Sequence, residues 1–349
     1  MTKAILKEIA YFGNTKENDF FKGKPISTIY FGGGTPSILP IEDIVQILDL
    51  IKNQFILNDA LEITLEANPD DLTIDYCSQL KLAGINRLSI GIQSFYEEHL
   101  QWMNRSHNAL QANTCVMNAV ESGIKNISVD LIYGFPGLTN EQWRANLQTV
   151  QNLPINHVSS YCLTVEDKTP LKKLIETKRY APTDENLASE HFNMLVDWSI
   201  KNQWEHYEIS NLCRKGFYSK HNTGYWKQEL YLGIGPSAHS YNKIERRWNL
   251  KDNKAYIESW QNDSPLFESE LLKPSDQLND YILTSLRTCW GLNLDLANEI
   301  SGSNFREMKM ELIEKYTSLS LITIDKNSIK LTTEGKLFAD GIAADFFTD

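Results

Sequence analysis

Four successive segments of this 349-residue chain end in a side chain suited to binding a polar ligand. Each segment is a short apolar or alternating run, which predicts a buried strand. The residues at their ends are Thr35, Glu66, Gln93 and Asp130. The carboxyl ends of parallel strands meet at one edge of a sheet, where ligands bind. We therefore expect these four side chains to converge on one site.

A run of three glycines follows the first of these strands. Residues 26–31 are largely apolar and predict a short strand, and GGGTP occupies residues 32–36. Glycine adopts positive φ readily and lets a ligand approach the backbone closely. Apolar residues then recur at helical spacing from Ile44 onward. A tight turn between a strand and a helix gives the same pattern. The segment is neither a P-loop nor a G-x-G-x-x-G fingerprint.

The spacing of the strands predicts the fold of the first half of the chain. Strands begin at about residues 26, 61, 86, 126 and 156, with helical patterns between them. The segment GINRLSIG at 84–91 recurs as GIKNISVD at 123–130, as consecutive βα units would. Such spacing favours parallel strands joined by right-handed crossovers. We expect an α/β barrel or partial barrel.

The pattern changes from about residue 180. A helix is predicted over 185–201, and three polar and aromatic blocks follow at 206–211, 221–226 and 233–241. Residues 250–270 are polar and typical of a linker. Helical patterns from 273, a hairpin from 321 and a last helix predict a winged-helix-like α+β domain. We therefore expect three regions, namely 1–180, 181–250 and 251–349.

Composition narrows the class of partner. The net charge is −11 and the pI about 5.2, which disfavours binding to nucleic acid. Residues 271–349 carry 8 Lys and Arg against 12 Asp and Glu, so DNA binding by that region is not expected. No apolar run approaches the roughly 20 residues of a membrane span, and no signal peptide is recognised. We expect a cytoplasmic protein without an integral membrane segment.

Several motifs together resemble the radical-SAM proteins related to oxygen-independent coproporphyrinogen III oxidase. They are YFGGGTPS, LEANPDDLT, RLSIGIQSF, LQWMNRSH, VDLIYGFPGLT and HYEISN, in this order along the chain. The motif HNTGYW at 221–226 resembles the H-N-x-x-Y-W signature of the HemW-type haem chaperones within that group. The coproporphyrinogen oxidases proper lack this signature. The resemblance covers nearly the whole chain.

This resemblance implies a partial (β/α)6 radical-SAM barrel, lacking its first strand here, followed by the winged-helix-like domain. It also implies bound S-adenosylmethionine (SAM) and a [4Fe-4S] cluster. The implied SAM residues are Gly33, Gly34, Thr35, Glu66, Gln93, Arg105 and Asp130. Carboxylates suit the ammonium and ribose hydroxyls of SAM, and an arginine suits its carboxylate. Without the resemblance, Arg105 is typical of a surface ion pair. No catalytic residue and no protein metal ligand are assigned.

The cysteines depart from the family pattern. The family holds its cluster with C-x-x-x-C-x-x-C, whereas the cysteines here are far apart: Cys77, Cys115, Cys162, Cys213 and Cys289. An iron–sulfur cluster needs thiolate ligands. We expect a cluster only in a form that carries the missing motif. Either the sequence is truncated at its N-terminus, or this member has lost radical chemistry.

The HNTGYW segment is the candidate haem site implied by the resemblance. Its residues are His221, Asn222, Tyr225 and Trp226. Neutral imidazole is a common axial ligand of haem iron, and aromatic rings offer faces to a flat macrocycle. If the segment is helical, His221 and Tyr225 share a face. A histidine beside aromatic residues is also often structural, and His206 and His239 are alternative ligands.

Four functions are consistent with these features. The first is a haem chaperone that binds haem or another tetrapyrrole and delivers it to haem-acceptor proteins. The second is an oxygen-independent coproporphyrinogen III oxidase, which the His221 motif disfavours. A winged-helix regulator is disfavoured by the acidic charge. A (β/α)8 phosphate-binding hydrolase would use the glycine loop without binding SAM.

Overall fold

The computed structural model describes residues 1–13, 21 and 23–348. The strands are β1 Ile26–Phe31, β2 Leu57–Ala67, β3 Arg87–Gln93, β4 Asn126–Tyr133, β5 His157–Cys162, β6 Glu205–Glu208, β7 Asn211–Cys213, β8 His239–Tyr241, β9 Glu245–Asn249, β10 Phe267–Leu271, β11 Leu292–Asn293, β12 Ile322–Asp325 and β13 Ser328–Leu331. The helices are α1 Thr2–Gly13, α2 Ile41–Gln54, α3 Ile74–Ala83, α4 Glu97–Trp102, α5 Ala109–Glu121, α6 Asn140–Asn152, α7 Pro170–Glu176, α8 Glu185–Lys201, α9 Lys220–Trp226, α10 Asn253–Gln261, α11 Pro274–Leu286, α12 Leu294–Ser301, α13 Phe305–Met308, α14 Met310–Ser318, α15 Thr333–Lys336 and α16 Ala339–Phe346.

The main sheet has seven strands in the order β1-β2-β3-β4-β5-β7-β6. Strands β2 to β5 pair in parallel with their neighbours, and helices connect them. The predicted α/β partial barrel is therefore confirmed. The sheet ends in the antiparallel strands β7 and β6, which lie in a polar and aromatic block that the sequence pattern did not identify as strand.

The two faces of this sheet differ in chemistry, because side chains alternate along a strand. One face carries residues that are fully buried and apolar, including Leu88, Ile90, Ile127, Val129 and Val158. The other face, here called the polar face, carries Thr64, Glu66, Arg87, Ser89, Asn126, Ser128, Asp130, His157 and Ser159. The apolar face buries the core, and the polar face is available for a site.

Side-chain caps fix the ends of the connecting helices. Asn108 and Thr139 each form a capping box with the residue three positions later, at the starts of α5 and α6. Gly84 ends α3 with a φ of 108°, a conformation that glycine adopts at little cost. The caps expected at Thr139 and Gly84 are confirmed, so the crossovers begin and end where the sequence predicts.

Two smaller sheets follow. The order of the first is β10-β9-β8 and that of the second β11-β13-β12. The second packs with helices around a core that includes Ile282, Phe305 and Phe346, which confirms the winged-helix-like domain. The expected linker at 250–270 is wrong, since this segment contains α10 and β10. Strand β10 is exposed along its whole length, so its sequence lacks the apolar alternation that identifies a strand.

The chain divides into two compact units. One comprises Met1–Ile29, Leu39–Glu62 and Lys220–Asp349, and the other Tyr30–Ile38 and Ile63–Ser219. In the first unit, the fully buried carboxylate of Glu8 accepts hydrogen bonds from Gly235, Asn249 and Tyr256. The boundaries proposed at residues 180 and 250 stay predictions. Within the described part of the chain, no helix has both the length and the apolar character to cross a membrane.

Candidate functional site

The carboxylate of Glu66 joins the glycine loop to the end of β2. Oε2 accepts a hydrogen bond from the backbone N–H of Gly33 at 3.1 Å, and Oε1 accepts one from the Tyr30 hydroxyl at 2.8 Å. Burial and the Glu66 charge raise the pKa of Tyr30, so its hydroxyl stays a donor. The loop is therefore held by a carboxylate.

Positive φ angles explain two of the loop glycines. Gly33 has a φ of 74° and Gly34 a φ of 61°, and a Cβ at either position would meet no atom within 4 Å. Backbone conformation, rather than crowding, therefore favours glycine at both. Both residues are exposed, and Thr35 after them is half-buried. Their backbone groups can be approached by a ligand.

Asp130 lies on the polar face near Glu66. Its Oδ1 is 3.4 Å from the Ser89 hydroxyl, and Ser89 pairs in register with Glu66 on β2. Burial and the charge of Glu66 together raise the pKa of Asp130 to about 6, against the lowering effects of hydrogen bonds from Ser159 and Ser89 and of the Arg87 charge. The two carboxylates therefore repel each other, as expected of a site that awaits a cationic ligand.

Arg105 and Gln93 complete this group. The Nη2 of Arg105 donates to Asn68 Oδ1 at 2.9 Å and to the Gly91 carbonyl at 3.2 Å. Burial lowers the pKa of Arg105, and the charges of Asp70 and Asp130 oppose that shift. Gln93 takes a left-handed conformation with a φ of 67°. Its amide and the Arg105 guanidinium both come close to Gly91.

Glu66, Gln93 and Asp130 thus come together as predicted, and Arg105 joins them. Glu66 and Gln93 lie at the ends of their strands, whereas Asp130 lies within β4, which continues to Tyr133. Together they offer two carboxylates, an amide and a guanidinium beside an exposed glycine loop. Such a set fits a zwitterionic amino acid, with the ammonium on a carboxylate and the carboxylate on the arginine. The buried Nε of Arg105 has no hydrogen-bond partner among the residues described, which leaves it a donor for a ligand.

A second group lies in the other unit, on α9. His221 Nδ1 is 3.0 Å from Thr28 Oγ1, and His221 Nε2 is 3.2 Å from the Tyr225 hydroxyl. Glu62 Oε1 accepts hydrogen bonds from the backbone N–H groups of Lys220 and His221 at the start of the helix. The expected helical segment is confirmed, with His221 and Tyr225 on one face, and α9 extends over about two turns.

Aromatic rings continue from this histidine. The ring centroids are 4.8 Å apart for His221 and Tyr225, and 4.6 Å apart for Tyr225 and Tyr231. Tyr225 is 39% exposed, so part of its surface can meet a ligand. Burial raises its pKa to about 12, which keeps the hydroxyl protonated.

The rest of the motif contacts other elements. The Trp226 ring lies under the guanidinium of Arg287, 5.6 Å from Cζ to the centroid, and its buried indole N–H has no hydrogen-bond partner in the described part of the chain. Asn222 is half-buried on α9. The alternative ligand His206 faces the Ile209 carbonyl at 2.9 Å. His239 is exposed and stacks on Trp248.

Comparisons with known proteins agree with the motifs. The profile of the Radical SAM superfamily matches residues 15–150, and that of the HemN C-terminal domain matches residues 272–338. Heme chaperone HemW of Lactococcus lactis is 30% identical over 334 residues, which are 96% of this chain and 88% of that protein. Heme chaperone HemW of Bacillus subtilis is 31% identical over 93% of this chain and 86% of that protein. This chain belongs to the HemW family of radical-SAM proteins.

A solved structure supports the fold of this HemW-family chain. Coproporphyrinogen III oxidase (HemN) from Escherichia coli, described as a radical SAM enzyme, superposes with a TM-score of 0.83. The match covers 99% of this chain and 82% of HemN at 21% sequence identity. At that identity the likeness establishes the shared fold alone.

Membership of the superfamily implies SAM and a [4Fe-4S] cluster, and the residues present fit only the first. Cys77, Cys115 and Cys213 are buried, whereas Cys162 and Cys289 are exposed. Across residues 1–13, 21 and 23–348, no three His, Cys, Asp or Glu side chains come together as metal ligands. The described residues therefore offer no ligand set for a cluster.

Three residues that contact the two candidate sites were not predicted from the sequence. They are Tyr30, which binds Glu66, and Thr28 and Glu62, which bind His221. Thr28 and Tyr30 are polar residues at alternate positions of the strand ISTIYF, which is the signal that could have identified them. Glu62 carries no comparable signal, because its partners lie 158 and 159 residues further along the chain.

Proposed function

We propose that this protein is a haem chaperone that binds haem at α9 and delivers it to acceptor proteins. The observation that carries the proposal is the arrangement of His221. Thr28 holds Nδ1, which leaves Nε2, on the side of Tyr225, as the nitrogen for an axial bond to iron. The relatives at about 30% identity are named heme chaperones, which agrees with this proposal.

In this proposal haem is cargo. Its iron would take the imidazole of His221, while Tyr225 and Trp226 would present aromatic faces to the macrocycle. Asn222 would orient the histidine. Because the Tyr225 hydroxyl is at 3.2 Å from Nε2, this contact must open before iron binds, so that binding and release each require a small movement of Tyr225.

We further propose that SAM binds at the glycine loop. Gly33, Gly34 and Thr35 would hold its methionine end, and Glu66 and Asp130 would receive the ammonium or ribose hydroxyls. Arg105 would bind the carboxylate, with Gln93 beside it. SAM supplies alkyl-sulfonium chemistry, and the described residues bind and orient it. The predicted regions 1–180, 181–250 and 251–349 and a cytoplasmic location are part of the same proposal.

The test is a haem titration followed by transfer. The purified chain should give a Soret band that saturates with haem, and the band should shift to that of holomyoglobin when apomyoglobin is added. Incubation with coproporphyrinogen III tests the oxidase alternative. Decarboxylation of that substrate, together with no haem binding, would overturn the chaperone proposal.

A further inference from the structure

Arg87 is a buried cation on the polar face that has no assigned role in the proposed SAM site. It begins β3 and is 2% exposed. Its Nε has no hydrogen-bond partner within the described residues, and none of the ion pairs found there includes it. A buried charge without a partner is costly. A cation retained at this cost is expected to compensate charge elsewhere on the polar face.

The neighbours of Arg87 in the sheet also bury polar atoms. Thr64 on β2 and Asn126 on β4 pair with Arg87 in register. Thr64 Oγ1 and Asn126 Oδ1 are also buried without hydrogen-bond partners among the described residues. Thr64, Arg87 and Asn126 thus lie side by side on three adjacent strands. The side chains of Thr64 and Asn126 carry no charge, so they do not neutralise the guanidinium.

The carboxylates of the proposed SAM site lie two residues further along the strands, on the same face of the sheet. Ser89 is two residues after Arg87 on the same face, a rise of about 6.6 Å along the strand. Ser89 pairs in register with Glu66 and lies 3.4 Å from Asp130. The two carboxylates that SAM would contact therefore lie close to Arg87 along the polar face, one residue pair further along the strands.

Other titratable groups near Asp130 add little positive charge. His157 on β5 is held between Ser128 and the Tyr207 hydroxyl, each at 2.7 Å, and burial and the Arg87 charge lower its pKa well below its usual range. It therefore stays neutral. Tyr30 and Tyr161 have raised pKa values and also stay neutral. Arg105 is the other cation whose charge acts on Asp130, and Glu66 is the opposing anion.

We infer that Arg87 is a positioning residue of the SAM site: its buried charge compensates the two neighbouring negative charges that a cationic ligand requires there. This inference rests on the SAM part of the proposed function. It is supported by the charge of Arg87, which lowers the pKa of Asp130 against the effects of burial and Glu66.

The experiment measures the dissociation constant of SAM at pH 7.5 and pH 6.0 by calorimetry, with wild type, Arg87→Met and Arg87→Lys. The matched control is Arg144→Met, because Arg144 is exposed on α6. Wild type should lose about twofold in affinity between the two pH values, as a carboxylate titrating near 6 becomes half protonated. Between the same two pH values Arg87→Met should lose about tenfold in SAM affinity, because the pKa of Asp130 is higher in this variant. Arg87→Lys and the control should behave as wild type.

The outcomes separate this inference from the proposal on which it rests. Wild type that binds no SAM at either pH would overturn both. An Arg87→Met variant with the wild-type ratio of affinities would overturn the positioning role alone. Equal loss at both pH values with a lowered melting temperature would show a structural role and also overturn it. If Arg87→Met does not fold, Arg87→Gln is measured in its place.

Discussion

The hydroxyl of Thr28 lies 3.0 Å from Nδ1 of His221, which is 193 residues further along the chain. A hydrogen bond to one ring nitrogen fixes the orientation of an imidazole and decides which nitrogen faces a metal. The strand β1 therefore positions the candidate ligand on α9, and both residues belong to the same compact unit.

Replacing the candidate ligand should weaken haem binding. We expect His221→Ala to weaken haem binding by at least tenfold and to alter the Soret band, because the axial nitrogen is lost. His239→Ala tests the alternative ligand, which is exposed and lies in another block, and should bind haem as the wild type does. Absorbance titration gives the affinity, and circular dichroism reports the fold. Unchanged affinity and spectrum in His221→Ala would remove this residue as the ligand.

Replacing the partner of the ligand should have a smaller effect. Thr28→Val keeps the shape of the side chain but removes the hydroxyl, so the imidazole is no longer held. We expect haem affinity to fall by about tenfold, a typical cost for losing an outer partner of a metal ligand, while the Soret maximum stays that of His ligation. A Soret maximum that moves to that of the His221→Ala variant would contradict this assignment.

The Glu66 carboxylate should be required for SAM binding. Glu66→Gln loses the negative charge and places an amide beside the Gly33 N–H or the Tyr30 hydroxyl. We expect SAM affinity to fall by at least tenfold, because a charge-assisted hydrogen bond is lost. Glu141→Gln, at an exposed position in the first turn of α6, is the control. Equal affinity for the two variants would place SAM elsewhere.

Asp130 should lower stability at neutral pH. Its pKa is raised to about 6 from an ordinary value of 3.8, so the folded chain binds this proton more tightly than the unfolded chain does. The proton on Asp130 therefore stabilises the folded chain. This stabilisation is complete below about pH 4 and is lost as the pH rises through 6. Asp130→Asn should raise the free energy of unfolding by about 1–2 kcal/mol at pH 7.5, allowing for screening at a half-buried group.

Denaturant unfolding of wild type and Asp130→Asn at pH 7.5 and pH 4 measures this difference, which should vanish at the lower pH. The variant should also bind SAM less tightly, since its carboxylate is gone. A variant that is less stable than wild type at pH 7.5 would show that Asp130 is a structural hydrogen-bonding residue rather than part of a binding site.

Local sequence signals predicted the features that depend on neighbouring residues. The end of β2 at Glu66, the capping box at Thr139 and the helical face around His221 follow from alternation, capping chemistry and helical spacing. Strand β10 was missed because both of its faces are exposed, so no apolar period marks it. The burial of Arg87 was missed because a cation in a strand usually faces water, and only the pairing with β2 and β4 encloses it.

The contacts of Glu8 set an order for the folding of the chain during synthesis. Every segment of the unit that holds the carboxylate pair has been made once residue 219 has left the ribosome, whereas the other unit still needs Lys220–Asp349. Glu8 meets its partners Gly235, Asn249 and Tyr256 only 227 to 248 residues later. At about 5–20 residues per second, the helix α1 waits on the order of ten to fifty seconds before its carboxylate can be buried. A nascent chain paused between these points would expose α1, and protease should cut there until residue 256 has emerged.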